Sequence, residues 1–279
     1  MDNDGKKESR DRYYACPVCK QPLTPTINGL FCKRDGVEYP VKNGIVDFIT
    51  EDLTKSPNLF LRSADKLDNA AEIYEDPSRY GIVQMMHAEL GLPSIEEMAT
   101  MMTEIVDAEN GVGLDVACGT GFFTRPLAQK MRLVYGIDIS MGMLEKATES
   151  AREKGIGNIC FAHASVERLP FPNGVFEGVT CGRALPMFPN TAEALSEMAR
   201  VSKRGARVAV LTLLKRDLPT LKMTLERLGA PSNLFGEEAL EALHLYDVEE
   251  LERYLSQTGF RGFEYNIYGP YLLFHAEKG

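Results

Sequence analysis

From about residue 111 onward, short apolar runs alternate with segments of helical period. Runs at 113–117, 133–137, 159–163, 175–181 and 207–213 read as strands, and segments at 122–130, 141–154, 191–201 and 248–258 read as helices. Such alternation builds a parallel sheet, because each connection between parallel strands must cross a face of the sheet. Two last runs, 260–267 and 271–276, form a closing hairpin about Gly269-Pro270. Between 215 and 246 lies an insertion of two helices split at 229–232. It follows the fifth strand, so it starts on the ligand-binding edge of the sheet and is the candidate substrate lid.

The pattern upstream is different. Residues 13–48 read as short β-hairpins, with Asn28-Gly29 marking a tight turn. Residues 63–110 read as helices broken at Asp76-Pro77 and at 91–94. Ser94 with Glu97 three residues later is a capping box. Met98, Met101, Met102 and Ile105 recur at helical spacing, the stripe of a packed core. The expected division is a tail and small β-rich domain over 1–55, a helical lead-in over 56–110, and an α/β core over 111–279.

Composition narrows this picture. A chain of 279 residues with 44% apolar content can bury a full core and carry one small extra domain. No apolar run approaches the roughly 18 residues that span a bilayer. The charged opening MDNDGKKESRDR reads as a solvated tail rather than a secretion signal. Six cysteines, two of them as Cys16-x-x-Cys19, read as thiols or metal ligands of a reducing compartment, so a cytoplasmic location is expected, a plastid precursor being the alternative. The net charge of −9 argues against broad contact with a phosphate backbone. Residues 1–42 carry eight Lys/Arg against six Asp/Glu, so the small domain is net positive and the remainder strongly negative. Nucleic acid is therefore a candidate partner of the small domain only.

The chemistry concentrates in LDVACGTGF at 114–122 and VYGIDIS at 134–140. A strand ends in a glycine-rich turn that opens a helix, and a second strand ends in Asp138 about twenty residues on. Gly119 and Gly121 allow a tight turn and close approach of a ligand, and the helix start offers free N–H groups. Asp138 stands where a carboxylate can accept from both hydroxyls of a ribose. A dinucleotide fingerprint needs a third glycine, and that position is Thr124.

The stretch instead resembles motif I of class I S-adenosylmethionine-dependent methyltransferases, with Ala117 in place of the usual first glycine. GIDISMGMLEKA (136–147) resembles the second motif of that family and SVERLPFPNGVFEGV (165–179) the third. The resemblance implies a Rossmann-like, seven-stranded, mostly parallel sheet with helices on both faces, and S-adenosylmethionine as cofactor. It implies that Ala117, Cys118, Gly119 and Gly121 wrap the aminocarboxypropyl end while Asp115 orients the loop. Asp138 would hold the ribose, with Ile139 and Met143 against adenine. Ser165 stands where the family has an aspartate for the adenine amine, the Val166 N–H would meet a ring nitrogen, and Cys181 would lie beside the methionine moiety. Tyr74 and Tyr80 are candidates to cover the sulfonium.

The small domain resembles zinc ribbons fused to methyltransferases: Cys16-Pro17-Val18-Cys19 is followed by Cys32-Lys33-Arg34-Asp35 and GVEYPVKNGIVDF. The ligand set this implies is Cys16, Cys19, Cys32 and Asp35, with Asp35 where a fourth cysteine is expected. Two readings stay open. A structural Zn²⁺ accepts a carboxylate oxygen, although such a set is harder and weaker than four thiolates. Alternatively the ribbon stands without metal on Tyr39, Val41, Ile45 and Phe48.

The leading expectation is methyl transfer to a small-molecule metabolite. The alternatives are an RNA base methyltransferase that uses the ribbon for recognition, and a non-catalytic scaffold, with Ala117 and Ser165 in its favour. No general base stands out: His87, His163, His244 and Tyr268 are scattered, and a lone histidine is more often structural. Arg183, after the fourth core strand, is a candidate for an anionic substrate group.

Overall fold

The computed structural model describes residues 10–49, 77–230 and 243–279. The ribbon contributes β1 (Thr24–Pro25), β2 (Gly29–Cys32), β3 (Val37–Lys42) and β4 (Ile45–Asp47). Helices α1 (Pro77–Glu89) and α2 (Ile95–Val106) lead into the core. There follow β5 (Val112–Val116), α3 (Thr124–Lys130), β6 (Leu133–Asp138), α4 (Met141–Glu153), β7 (Ile159–His163) and β8 (Phe176–Gly182). Then come α5 (Thr191–Val201), β9 (Ser202–Leu213), α6 (Leu218–Arg227), α7 (Val248–Thr258), β10 (Phe260–Tyr268) and β11 (Tyr271–Lys278). The expected strands and helices of the core are all present, and the closing hairpin turns where Gly269 and Pro270 predict.

The sheet runs β1-β2-β3-β4-β7-β6-β5-β8-β9-β11-β10. Strands β7, β6, β5, β8 and β9 are parallel, and β11 and β10 close the far edge antiparallel. Chain order reverses between β5 and β8. In an open α/β sheet that switch point puts the ligand crevice beyond the carboxyl ends of the central strands.

The seven expected strands become eleven because the ribbon is continuous with the core. Strand β4 pairs parallel with β7, Val46 opposite Ala162 and Asp47 opposite His163. This caps what would otherwise be an open edge with unpaired backbone groups. The crossover from β7 to β8 carries only a one-turn 3₁₀ helix, Val166–Arg168. Ribbon aromatics cover that part of the sheet instead: Tyr14 lies 5.3 Å from Tyr135, 5.5 Å from Phe171 and 5.2 Å from Phe48, ring centre to ring centre. Such pairs add about 0.5–1.5 kcal/mol each beyond the burial of their area. The Ala15 N–H donates to the Pro170 carbonyl at 2.8 Å, and Lys20 donates to Glu197 at 3.0 Å.

On the other face α2 buries Met98 and Met102 with α3, as the methionine stripe predicts, and Ser94 and Glu97 form both halves of the capping box. One local expectation changes. Gly29 is already the first residue of β2 and has no positive φ; a Cβ there would sit 2.1 Å from the Tyr39 carbonyl oxygen. The glycine serves a close strand approach rather than the turn. Of the candidate lid, α6 packs Leu221 and Leu225 into the cluster that holds Val83 and Met86 of α1, and its second helix lies outside the described residues.

Candidate active site

The loop from β5 to α3 is held by β6 and by its own backbone. Cys118 N–H donates to the Ile137 carbonyl and Gly121 N–H to the Cys118 carbonyl, both at 2.9 Å. Gly119 N–H donates to Asp138 Oδ2 at 2.8 Å, and Ser140 N–H to Asp138 Oδ1 at 2.9 Å. Each Asp138 oxygen is thus aimed by an amide, and the side chain is 7% exposed. Burial raises the carboxyl's pKa, against the pull of those two amides and of His163. The amides of Cys118 and Gly119 are thus donated to β6, and that of Gly121 within the loop.

Ala117 takes φ = +53°, the left-handed region that an L-residue with a Cβ enters at a cost of about 1–2 kcal/mol. The family's glycine preference at this position is therefore a backbone requirement, and the alanine meets it under strain. Gly119 has the same φ, and a Cβ there would meet nothing within 4 Å, so that residue faces open space at the mouth of the loop.

A cleft opens beside the loop, lined in part by Ala117, Asp138, Ile139, Ser165 and Val166. The fold brings these expected residues together. Ser165 caps the 3₁₀ turn, its Oγ accepting from Glu167 N–H at 3.3 Å. Asp115, Cys118, Met143 and Cys181 are buried and are not among the residues that line it. Asp115 accepts from Thr124 Oγ1 at 2.6 Å and Thr180 Oγ1 at 2.8 Å, which ties α3 and β8 to β5. Burial, resisted by those hydroxyls, pushes its pKa up to about 6. Tyr74 lies outside the described residues, and of Tyr80 only the backbone, on the first turn of α1, is described.

Sequence reasoning missed Phe188, Pro189 and Glu167 in the cleft wall. Glu167 lies two residues from Ser165. Phe188 and Pro189 follow a short 3₁₀ turn after β8 that has no periodic signature. The base candidates do not line the cleft. His87 is 2% exposed, with Nδ1 2.5 Å from the Pro93 carbonyl and Nε2 3.3 Å from Tyr271 Oη. His244 pairs with Glu250 at 3.3 Å, and Tyr268 ends β10. Arg183 has φ = +63°, and its guanidinium carbon lies 6.0 Å from the centre of the Tyr271 ring.

In the ribbon, Cys16 Sγ lies 3.0 Å from Asp35 Oδ2 and Cys19 Sγ 3.5 Å from Cys32 Sγ. All four donor atoms fall within 4.8 Å of one another. Two thiolates on a tetrahedral Zn²⁺ stand about 3.8 Å apart at Zn–S bonds of about 2.3 Å. Val18 N–H and Asp35 N–H point at the sulfurs of Cys16 and Cys32, both at 3.4 Å, as amides do that stabilise thiolate charge. The donor set fits a structural zinc.

A methyltransferase-domain family model matches residues 114–210, and a Trm112p-like protein model matches residues 15–44. An uncharacterized chloroplastic methyltransferase of Arabidopsis thaliana is 27% identical over 292 aligned positions, covering 95% of this chain and 78% of the relative. A demethylmenaquinone methyltransferase of Lactococcus lactis is 32% identical over 171, covering 56% of this chain and 68% of the relative. The same enzyme of Anoxybacillus flavithermus is 39% identical, and the chain spans only 46% of its length. Among solved structures, geranyl diphosphate C-methyltransferase of Streptomyces coelicolor, 15% identical, superposes with a TM-score of 0.59 over 81% of this chain and all of that one. Among the described residues no helix is long and apolar enough to cross a membrane. Strand order, glycine loop, buried acid and relatives agree: this chain belongs to the class I S-adenosylmethionine-dependent methyltransferases.

Proposed function

We propose that the protein transfers the methyl group of S-adenosylmethionine to a small-molecule acceptor, with the nucleoside held in the cleft between Asp138 and Ser165. The observation that carries this reading is the pre-aimed Asp138 carboxylate at the wall of a cleft lined by apolar residues. In it, Asp138 accepts from the ribose hydroxyls, Ile139 and Phe188 flank the adenine, and the Ser165 hydroxyl accepts from the adenine amine in place of a carboxylate. The Ser165 oxygen already accepts from Glu167 N–H, so it offers one remaining lone pair and no charge.

The cofactor supplies an already activated methyl group on a sulfonium, so the protein's task is alignment and exclusion of water. Positioning of this kind can contribute about 7–11 kcal/mol. This agrees with a cleft wall that is mostly apolar, its polar side chains being Asp138, Ser165 and Glu167.

A small acceptor is supported by the demethylmenaquinone methyltransferases among the relatives and by the acidic core. The ribbon's cations also speak against RNA. Lys20 is paired with Glu197, Lys42 with Asp47, and Arg10 donates to the Gly157 carbonyl. Much of its positive charge is committed within the molecule.

The test is titration of S-adenosylmethionine into the wild type and Asp138→Ala. Two hydrogen bonds to an ionised acceptor are worth about 1.5–3 kcal/mol each, so affinity should fall at least about 100-fold. An unchanged dissociation constant rejects the reading. Methyl-label transfer to lipophilic quinols, run beside total RNA, separates the acceptor classes.

A further inference from the structure

His163 is the last residue of β7, and its imidazole spans the junction between ribbon and core. Nδ1 lies 2.8 Å from Asp47 Oδ1 at the end of β4, and Nε2 lies 2.9 Å from the backbone carbonyl oxygen of Ile139. A carbonyl can only accept. Asp47 also accepts from the Lys42 ammonium at 3.1 Å and from the Ile49 N–H at 3.1 Å, so it is a carboxylate and only accepts. Both ring nitrogens must therefore donate, and the geometry specifies an imidazolium.

The charged groups facing it come from three directions: Asp47 on β4, Lys42 of β3 at 3.1 Å from the other Asp47 oxygen, and Asp138 of β6. The surrounding backbone is tied as well. Phe48 N–H donates to the His163 carbonyl at 2.8 Å and Ala164 N–H to the Asp138 carbonyl at 2.9 Å. Ile139 is the residue between Asp138 and Ser140, so fixing its carbonyl fixes the turn that aims the Asp138 carboxylate into the cleft.

We propose that His163 is a positioning residue for the nucleoside half of the cofactor, held as a cation by Asp47 of the ribbon. The ribbon thereby acts on cofactor affinity from behind the cleft, without touching the ligand. This rests on the cofactor reading of the cleft given above. Two effects combine. The Nε2–H donor locks the Ile139 carbonyl, and the positive charge favours the ionised form of Asp138 that accepts from a ribose. Loss of the ring proton leaves one nitrogen without a donor role and removes the charge.

The experiment measures binding of S-adenosylhomocysteine, which lacks the sulfonium charge, by calorimetry at about pH 6 and about pH 8.5. The proteins are wild type, His163→Gln, Asp47→Asn and Asp138→Ala, each checked for folding by circular dichroism. The wild-type dissociation constant should rise about fivefold from the lower to the higher pH, as for the loss of one hydrogen bond. His163→Gln should bind about fivefold more weakly at the lower pH and show no slope. Asp47→Asn keeps an acceptor for Nδ1–H but not its charge, and should weaken binding at the lower pH; it carries the test if His163→Gln does not fold. Wild-type affinity and slope in both variants, with binding lost in Asp138→Ala, overturns the inference and leaves the cofactor reading intact. An equal loss at both pH values with a flat wild type reduces His163 to a packing role and also overturns it. Unchanged binding in Asp138→Ala rejects the cofactor reading itself.

Discussion

The ribbon knuckle and the β5–α3 cradle are both short turns that gather polar atoms, and they are completed in opposite ways. In the knuckle, three sulfurs and one carboxylate oxygen converge within 4.8 Å, the Cys16 and Cys32 thiols donating to Asp35 Oδ2. In the cradle, both oxygens of Asp115 and both of Asp138 already meet donors of the same chain. The knuckle is a set of ligands that a cation would complete. The cradle is organised before any ligand arrives, so binding need not first order it.

The comparison breaks most readily at the knuckle. A structural Zn²⁺ contributes apparent binding energies of about 10–16 kcal/mol in isolated zinc-finger peptides, and here part of the ribbon's order comes from its strand on β7. Cys19→Ser should release the metal and lower stability by several kcal/mol, read as zinc content and melting temperature. Asp35→Cys should do the reverse, tightening zinc at least about tenfold in a chelator competition, because a thiolate suits this ion better than a carboxylate. Purified protein free of zinc, with a melting temperature indifferent to chelator, would favour the ribbon that stands on Tyr39, Val41, Ile45 and Phe48 alone.

How much of each region could be read in advance follows from the same contrast. The knuckle's candidate ligands lie close in sequence, and the resemblance to fused zinc ribbons singles out Cys16, Cys19, Cys32 and Asp35. The cradle's residues were legible as a motif, but their division of labour was not. Asp115 and Cys181 belong to motif positions and are fully buried, a depth that the motif does not announce. The pairing of β4 with β7 left no local trace, since Val46 and Ala162 meet across more than a hundred residues of chain. What could have pointed to it is LPFPNGV at 169–175, a crossover without helical period that leaves the sheet to be covered by something else. Phe188 was missed for a similar reason: a 3₁₀ turn has no repeat to detect.

The second test addresses the cradle's own completeness. Asp115 is fully buried, and its carboxyl moves from about 3.9 in an unfolded chain to about 6 in the fold. Between these values the native state binds more protons than the unfolded one, so stability falls as pH rises through the window. Above it the charged form costs roughly 3 kcal/mol. Asp115→Asn should remove that slope. Urea unfolding at about pH 4 and about pH 7 should show the variant gaining on the wild type by up to about 3 kcal/mol at the higher pH. Carboxylates elsewhere that titrate in the opposite sense cancel in the difference. A variant that loses stability equally at both values would mean that the threonine hydroxyls, not the charge, dominate the site.

The smallest effect belongs to Ala117, whose backbone carries strain in the cradle. Its φ of +53° puts a Cβ where glycine has none. Ala117→Gly relieves about 1–2 kcal/mol of that strain but loosens the unfolded chain by roughly 0.5–1 kcal/mol. The net gain should be about 0.5–1 kcal/mol, a rise of roughly 1–4 °C in a protein of this size. Affinity for S-adenosylmethionine should stay within about twofold of wild type, since the loop already holds the conformation a glycine would adopt. A large gain in affinity would instead mean that the alanine obstructs the loop's approach to the ligand, and that the cradle is less complete than its hydrogen bonds indicate.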